Sequence, residues 1–137
     1  TIHVGEEGGT YGIEEVGEVV EALRPDRIGH GILAAREPEL MAAIRAADIT
    51  LEICPTSNLL TKALPDDDAV RETFRAFAES GVPFTIATDG TEMMRTHLRD
   101  EFELLIRIGA LDEEEARAAN ARAHDASFVG RRVHASL

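Results

Sequence analysis

His3 and Glu6, His30, Ser57 and Asn58, and Asp89 each stand at the end of a short apolar run, and imidazole and carboxylate are the groups that ligate zinc and move protons near neutral pH. In His3-Val4-Gly5-Glu6, a continuing strand would direct His3 and Glu6 to opposite faces, because side chains alternate with a period of two. A turn at Gly5 would instead carry Glu6 over the strand end beside His3. That would place a metal ligand next to a carboxyl able to protonate a bound ring. His30 lies between Gly29 and Gly31, which leave its imidazole uncovered, although a histidine in a tight turn serves structure as readily as function. Thr85, Ala87 and Asp89 share one face of a later apolar run, so small residues lead up to a carboxylate suited to Zn²⁺. Asp89-Gly90 is equally a turn signal. Glu7, Glu14 and Glu15 read as a solvated acidic edge. His97, His124 and His134 fall on helices or the tail, and Cys54 follows a hydrophobic strand, so these four read as structural.

What must position these groups is an alternation of short apolar runs with stretches of helical period, the pattern of a parallel α/β sheet. Thr1–Val4 predicts a first strand, followed by a helix with Ile13, Val16, Val19, Val20 and Leu23 on one face and Pro25 beyond its end. Arg27–Ile28 leads into Gly29-His30-Gly31, and a helix through Leu40, Met41, Ile44 and Ala47 follows. Ile49–Ile53 predicts the third strand, with a helix through Val70, Phe74, Phe77 and Ala78 capped by Gly81. Pro83–Thr88 predicts the fourth, before a helix face of Leu98, Phe102, Leu105 and Ile106 and a last helix over about 111–128. All the singled-out polar residues then lie at the C-terminal ends of strands, the rim that holds the active site in barrels.

The chain has 137 residues, 44% of them hydrophobic, and 14 Lys+Arg against 26 Asp+Glu give a net charge of −12. That charge repels nucleic-acid phosphates and argues against DNA or RNA as a partner. A single cysteine excludes an intrachain disulfide and fits the cytoplasm. No apolar run is long enough to span a membrane, and the first residues do not read as a signal peptide. Four β/α units make half of a barrel that needs about 250 residues. Residues 1–137 are therefore expected to be one C-terminal half-barrel with sequence preceding Thr1. Open edges at Thr1–Val4 and Thr85–Thr88 would favour self-association, as in a homo-oligomer.

His3-Val4-Gly5-Glu6, Arg27-Ile28-Gly29-His30-Gly31, Leu51-Glu52-Ile53-Cys54-Pro55-Thr56-Ser57-Asn58 and Thr85-Ile86-Ala87-Thr88-Asp89 resemble, in order and across nearly the whole chain, the motifs of the adenosine/adenine deaminase family of metal-dependent amidohydrolases. The resemblance implies an α/β fold of the (β/α)8 TIM-barrel type with strands five to eight present. It implies zinc, one ion per complete site, or another divalent metal, with His3 and Asp89 as ligands. Zinc would lower the pKa of a bound water. Glu6 would be the proton donor, His30 and Asp89 would orient that water and take its proton, and Gly5, Glu6 and Gly90 would meet the substrate. Ser57 and Asn58 would shape the loop after strand seven. The implied partners are a small aminopurine-type substrate and an N-terminal half supplying a His-x-His zinc pair, which these residues lack. The chain alone is accordingly expected to bind zinc poorly and to be inactive. The implied activity is hydrolytic deamination of a 6-aminopurine nucleoside or related compound. Gly90 replaces the family's second Asp, which favours a modified adenosine such as aminodeoxyfutalosine over adenosine. The His-x-Glu and Pro-Cys-x-x-Cys signature of nucleic-acid deaminases is absent. The rival expectation is a non-catalytic half-barrel that binds a ligand or self-associates.

Overall fold

The computed structural model describes residues 1–7 and 10–129, so His134 and the last predicted tail residues lie outside it. The four apolar runs form β1 (Ile2–Val4), β2 (Arg27–His30), β3 (Thr50–Ile53) and β4 (Phe84–Ile86), all parallel and in the order β1-β2-β3-β4. Sequential neighbours pair because each strand is followed by at least one helix that returns the chain to the start of the next. The helices are α1 (Thr10–Glu18), α2 (Pro38–Ala46), α3 (Pro55–Leu60), α4 (Asp67–Ser80), α5 (Thr91–Met94), α6 (Leu98–Arg107) and α7 (Glu113–Ala126).

Register separates the two faces of the sheet. Ile2, Ile28, Leu51 and Phe84 form one row, and Ile53 and Ile86 continue the same face. Helical Val16, Ile44, Val70, Phe74 and Phe77 join the strand residues Ile28, Leu51 and Ile53 in one fully buried cluster. Burying each such side chain contributes about 1.5–3 kcal/mol. Phe74 meets Phe84 edge-on, with ring centroids 5.5 Å apart. His3, Gly29, Glu52 and Thr85 form the row on the opposite face, where Arg27 and Thr1 both bond the Glu52 carboxylate.

Helix ends follow the sequence closely. Asp66 accepts from the Ala69 N–H at 2.9 Å to start α4, and Gly81 closes it at φ 67°. Asp112 and Glu115 exchange bonds at the start of α7, and Glu115 also holds Arg75 of α4 through two contacts of 2.8 and 2.9 Å.

Three elements differ from the sequence reading. β2 runs on through Gly29 and His30, because both flanking strands offer it partners. Beyond α1, residues 19–23 wind into a wider turn, with Arg24 N–H reaching the Val19 carbonyl, and this leaves Leu23 exposed. On α6 the fully buried residues are Glu101 and Leu105, whereas Leu98 and Ile106 stay 44% and 42% exposed. Leu98, Phe102 and Ile106 instead line an open groove of about 580 Å³ shared with Ala116 and Asn120 of α7.

Candidate active site

Gly5 takes φ 71°, and a Cβ there would stand 2.3 Å from Val16 Cγ2, so the turn after β1 requires glycine on both counts. The turn is pinned to the next unit by the bonds Gly31 N–H to Val4 O (2.9 Å) and Leu33 N–H to Gly5 O (3.0 Å). Glu6 is thereby carried over the strand end and brought to His30, with Oε2 3.6 Å from Nε2.

His30 belongs by register to the row of Val4, Ile53 and Ile86, which regular alternation would hide under the helices. Its backbone is left-handed at φ 61°, and its ring, although 4% exposed, reaches polar partners. Asn58, fully buried on α3, places Nδ2 3.0 Å from Glu6 Oε1 and 3.0 Å from His30 Nδ1. The amide nitrogen donates to Glu6 Oε1 and stands against His30 Nδ1, where the imidazole tautomer decides which nitrogen donates. Thr61 adds a donor to Glu6 Oε1 at 3.3 Å. Next to Asn58, Ser57 donates to Asp89 Oδ2 at 2.9 Å. Asp89 lies in the turn beyond β4 at φ 60°, so the alternation that grouped it with Thr85 and Ala87 ends before it.

His3 sits in β1 and faces away from the helices. Its ring lies across Gly29, where a Cβ would be 2.4 Å from Cδ2, and its centroid is 5.6 Å from that of His30. The rim therefore gathers His3, His30, Glu6 and Asn58 into one chain of contacts, with Ser57 and Asp89 attached through the neighbouring residue of α3. Gly90 caps the start of α5 at φ −104°, and a Cβ there would meet only Met93 at 3.5 Å, so nothing in the backbone demands glycine.

The sequence reading gave Ser57 and Asn58 only the shaping of a loop and did not single out Thr61 or Glu101. Pro55 was the available signal, since proline favours the first position of a helix and puts Ser57 and Asn58 in its first turns. Glu101, fully buried on α6, accepts from the Thr56 N–H at 2.9 Å and so anchors the start of α3, the helix that presents Ser57 and Asn58. Three residues after Leu98 and four before Leu105, it is a charged residue within a helical stripe, a signal legible in the sequence.

A nitrogen ligand at His3 and a carboxylate at Asp89 are donors that zinc accepts. Among the described residues, however, no group of three or more His, Cys, Asp or Glu is placed to hold a metal. A catalytic zinc site uses three protein ligands, more than these two.

Cys54 is buried behind the rim, and burial followed by the negative charge of Asp89 pushes its thiol up to about 12. An ordinary thiol ionises near about 8.5, so the folded chain holds this proton more tightly than the unfolded one. The unfolding free energy is expected to fall as pH rises from about 9 toward 12, and native Cys54 is expected to resist a disulfide reagent at pH 8. Rapid labelling of the folded chain would contradict this.

A family model described as "Adenosine deaminase" matches residues 1–137. The aminodeoxyfutalosine deaminase of Streptomyces coelicolor is 37% identical over 129 residues, covering 93% of this chain and 32% of that protein. The adenine deaminase of Chelativorans sp. is 33% identical over 137 residues, covering 100% of this chain and 41% of that protein. The chain thus spans about a third to two fifths of the length of these curated relatives. Among solved structures, the adenine deaminase from Arthrobacter aurescens superposes with a TM-score of 0.81 at 23% identity, over 93% of this chain and 38% of that one, and shows the shared fold. An Arabidopsis N6-mAMP deaminase superposes with a TM-score of 0.75 at 26% identity, over 96% of this chain and 38% of that one. The four-stranded parallel sheet is thus a partial (β/α) barrel of the TIM type.

Proposed function

Because this chain belongs to the adenosine deaminase family, we propose that it forms the C-terminal half of a barrel that hydrolytically deaminates a small 6-aminopurine nucleoside or related compound. The observation that carries the reading is the Asn58 amide bonded to both Glu6 and His30 at 3.0 Å on the strand-end rim. A proton donor and a proton acceptor are held there in fixed relation by one buried side chain.

In this reading Glu6 gives a proton to the ring nitrogen beside the carbon that bears the exocyclic amine. Water adds to that carbon while His30 and Asp89 orient it and take its proton; that proton passes to the exocyclic amine, the carbon–nitrogen bond breaks to release ammonia, and the added hydroxyl becomes the carbonyl as its proton returns to Glu6. Asp89 Oδ2 is engaged by Ser57, which fixes the carboxylate for that role. One zinc ion per complete site, held on this half by His3 and Asp89, would make the attacking water more acidic. The remaining ligands would come from a His-x-His pair on the other half of the barrel.

Gly90 leaves no carboxylate beside Asp89 to bond the purine, and since the position would admit a side chain, the difference is chemical rather than steric. A substrate with further handles, such as aminodeoxyfutalosine, is accordingly favoured over adenosine. Cys54 as a free buried thiol suits a reducing compartment, and the cytoplasm is part of the proposal. No described helix is long and apolar enough to cross a membrane.

The incomplete metal cluster supports a second reading, a non-catalytic half-barrel that binds a ligand or self-associates through its open strand edges. Two measurements separate the readings. Isolated residues 1–137 are expected to retain well under one zinc per chain after desalting and to release no ammonia from adenine, adenosine or aminodeoxyfutalosine. Supplied with the complementary half-barrel, the chain is expected to bind one zinc and deaminate aminodeoxyfutalosine fastest. Absence of activity on all three substrates in that assembled, zinc-loaded form would favour the binding module.

A further inference from the structure

A second pocket opens directly beside Glu6, with a volume of about 250 Å³, and its lining includes Leu33, Arg36, Thr61 and Lys62. Thr61 belongs to both places, since it lines this pocket and donates to Glu6. Any molecule held against Glu6 therefore has this pocket within reach.

Two cations share that lining, and like Arg24, Arg45 and Arg95 elsewhere among the described residues they take part in no ion pair. The chain carries 26 acidic residues against 14 basic ones, and most described arginines use that excess. Arg27 pairs with Glu52, Arg71 with Asp68, Arg75 with Glu115, Arg99 with Glu103, Arg117 with Glu113 and Arg122 with Asp48. Arg36 and Lys62 have no carboxylate among the described residues within the 4.0 Å of an ion pair. This holds although Glu6 and Glu7 line the same pocket. Glu6 is turned to Asn58 and Thr61 instead. Lys62, the only lysine in the sequence, also occupies a left-handed position at φ 65° just after α3, where glycine is preferred.

We propose that this pocket binds an anionic group, a carboxylate or phosphate, on the substituent of the aminopurine, with Arg36 and Lys62 as the specificity-determining residues. The inference rests on the aminopurine reading of the neighbouring site and extends it: the substrate is a 6-aminopurine with an anionic tail. Guanidinium presents a planar fork that matches carboxylate and phosphate oxygens, and ammonium adds a compact charge that tolerates either geometry. The recognition handle lost at Gly90 on the ring is thus replaced by one on the tail.

Binding to the metal-free assembled barrel, this chain with its complementary half, by calorimetry or NMR titration tests this, with adenosine, adenosine 5′-monophosphate, 9-(3-carboxypropyl)adenine and inorganic phosphate as probes. The two anionic purines are expected to bind about 10- to 100-fold tighter than adenosine at low salt. The advantage is expected to shrink at high ionic strength and to fall near unity in Arg36→Gln/Lys62→Gln. The stronger of the two identifies phosphate or carboxylate as the natural tail. Equal binding of neutral and anionic purines, unmoved by these substitutions, would overturn the anion pocket and leave the deaminase reading standing. Phosphate binding that depends on Arg36 and Lys62, with no preference for the purines, would keep the pocket and overturn the aminopurine reading. Circular dichroism of the double variant checks that it remains folded; a charge-swapped Arg36→Glu should repel the anionic probes if it does not.

Discussion

Glu6→Gln in the assembled, zinc-loaded deaminase is expected to lower kcat by about 10²–10⁴-fold, the range that general acid–base groups contribute, with a much smaller change in KM. Glutamine preserves the acceptor that Asn58 Nδ2 and Thr61 Oγ1 approach at 3.0 and 3.3 Å, so the network around His30 should persist. What disappears is the ionisable proton. The substitution therefore separates chemistry from architecture, which an alanine at the same place would not, since it would also strip Asn58 and Thr61 of their acceptor. Steady-state rates on the best of the three aminopurine substrates, with thermal unfolding as the check on structure, give the answer. A kcat within tenfold of the parent would remove Glu6 from the role of proton donor, and Asp89 would then be the carboxyl to substitute next.

The same network shows how far the residues alone could lead. Four parallel strands, their order along the chain and the turn at Gly5 were legible because apolar runs, helical periods and glycine each carry a local physical signal. That His3, Glu6, His30 and Asp89 lie at or just beyond strand ends on one side of the sheet was legible, because the strands are parallel. The means of convergence was not legible. His30 sits by register among Ile53 and Ile86, and only a left-handed backbone, held by contacts from other units, frees its ring. Asn58 joins Glu6 and His30 from positions 52 and 28 residues away, a distance no local pattern reports. The face of α6 was misjudged for a related reason. Helical period identifies Leu98, Leu105 and Ile106 as one stripe but says nothing about which part of it meets the sheet, and here Glu101 takes that place to anchor α3.

Gly29→Ala is expected to abolish stoichiometric zinc in the assembled site while leaving the fold nearly as stable as before. Its backbone is not left-handed, so alanine brings no conformational strain, and replacing glycine where the backbone permits it stabilises by about 0.4–1 kcal/mol through the unfolded chain. The added Cβ would nonetheless fall 2.4 Å from His3 Cδ2 and 2.7 Å from Nε2, separations that force the imidazole to move. In the isolated chain, where the unfolding midpoint is to be read, His3 is on an edge strand with its side chain exposed, so the ring can swing away at little cost to packing. Displacing a ligand should cost at least the 10–100-fold in metal affinity that losing an outer-shell support does. The expected signature is thus a split: an unfolding midpoint that barely shifts, a His3 imidazole resonance that moves even without metal, and zinc that washes out on desalting together with the deaminase activity. If the resonance moves but zinc and activity are retained, His3 is a neighbour of the site rather than a ligand, and the nitrogen ligand on this half of the barrel has to be sought at His30.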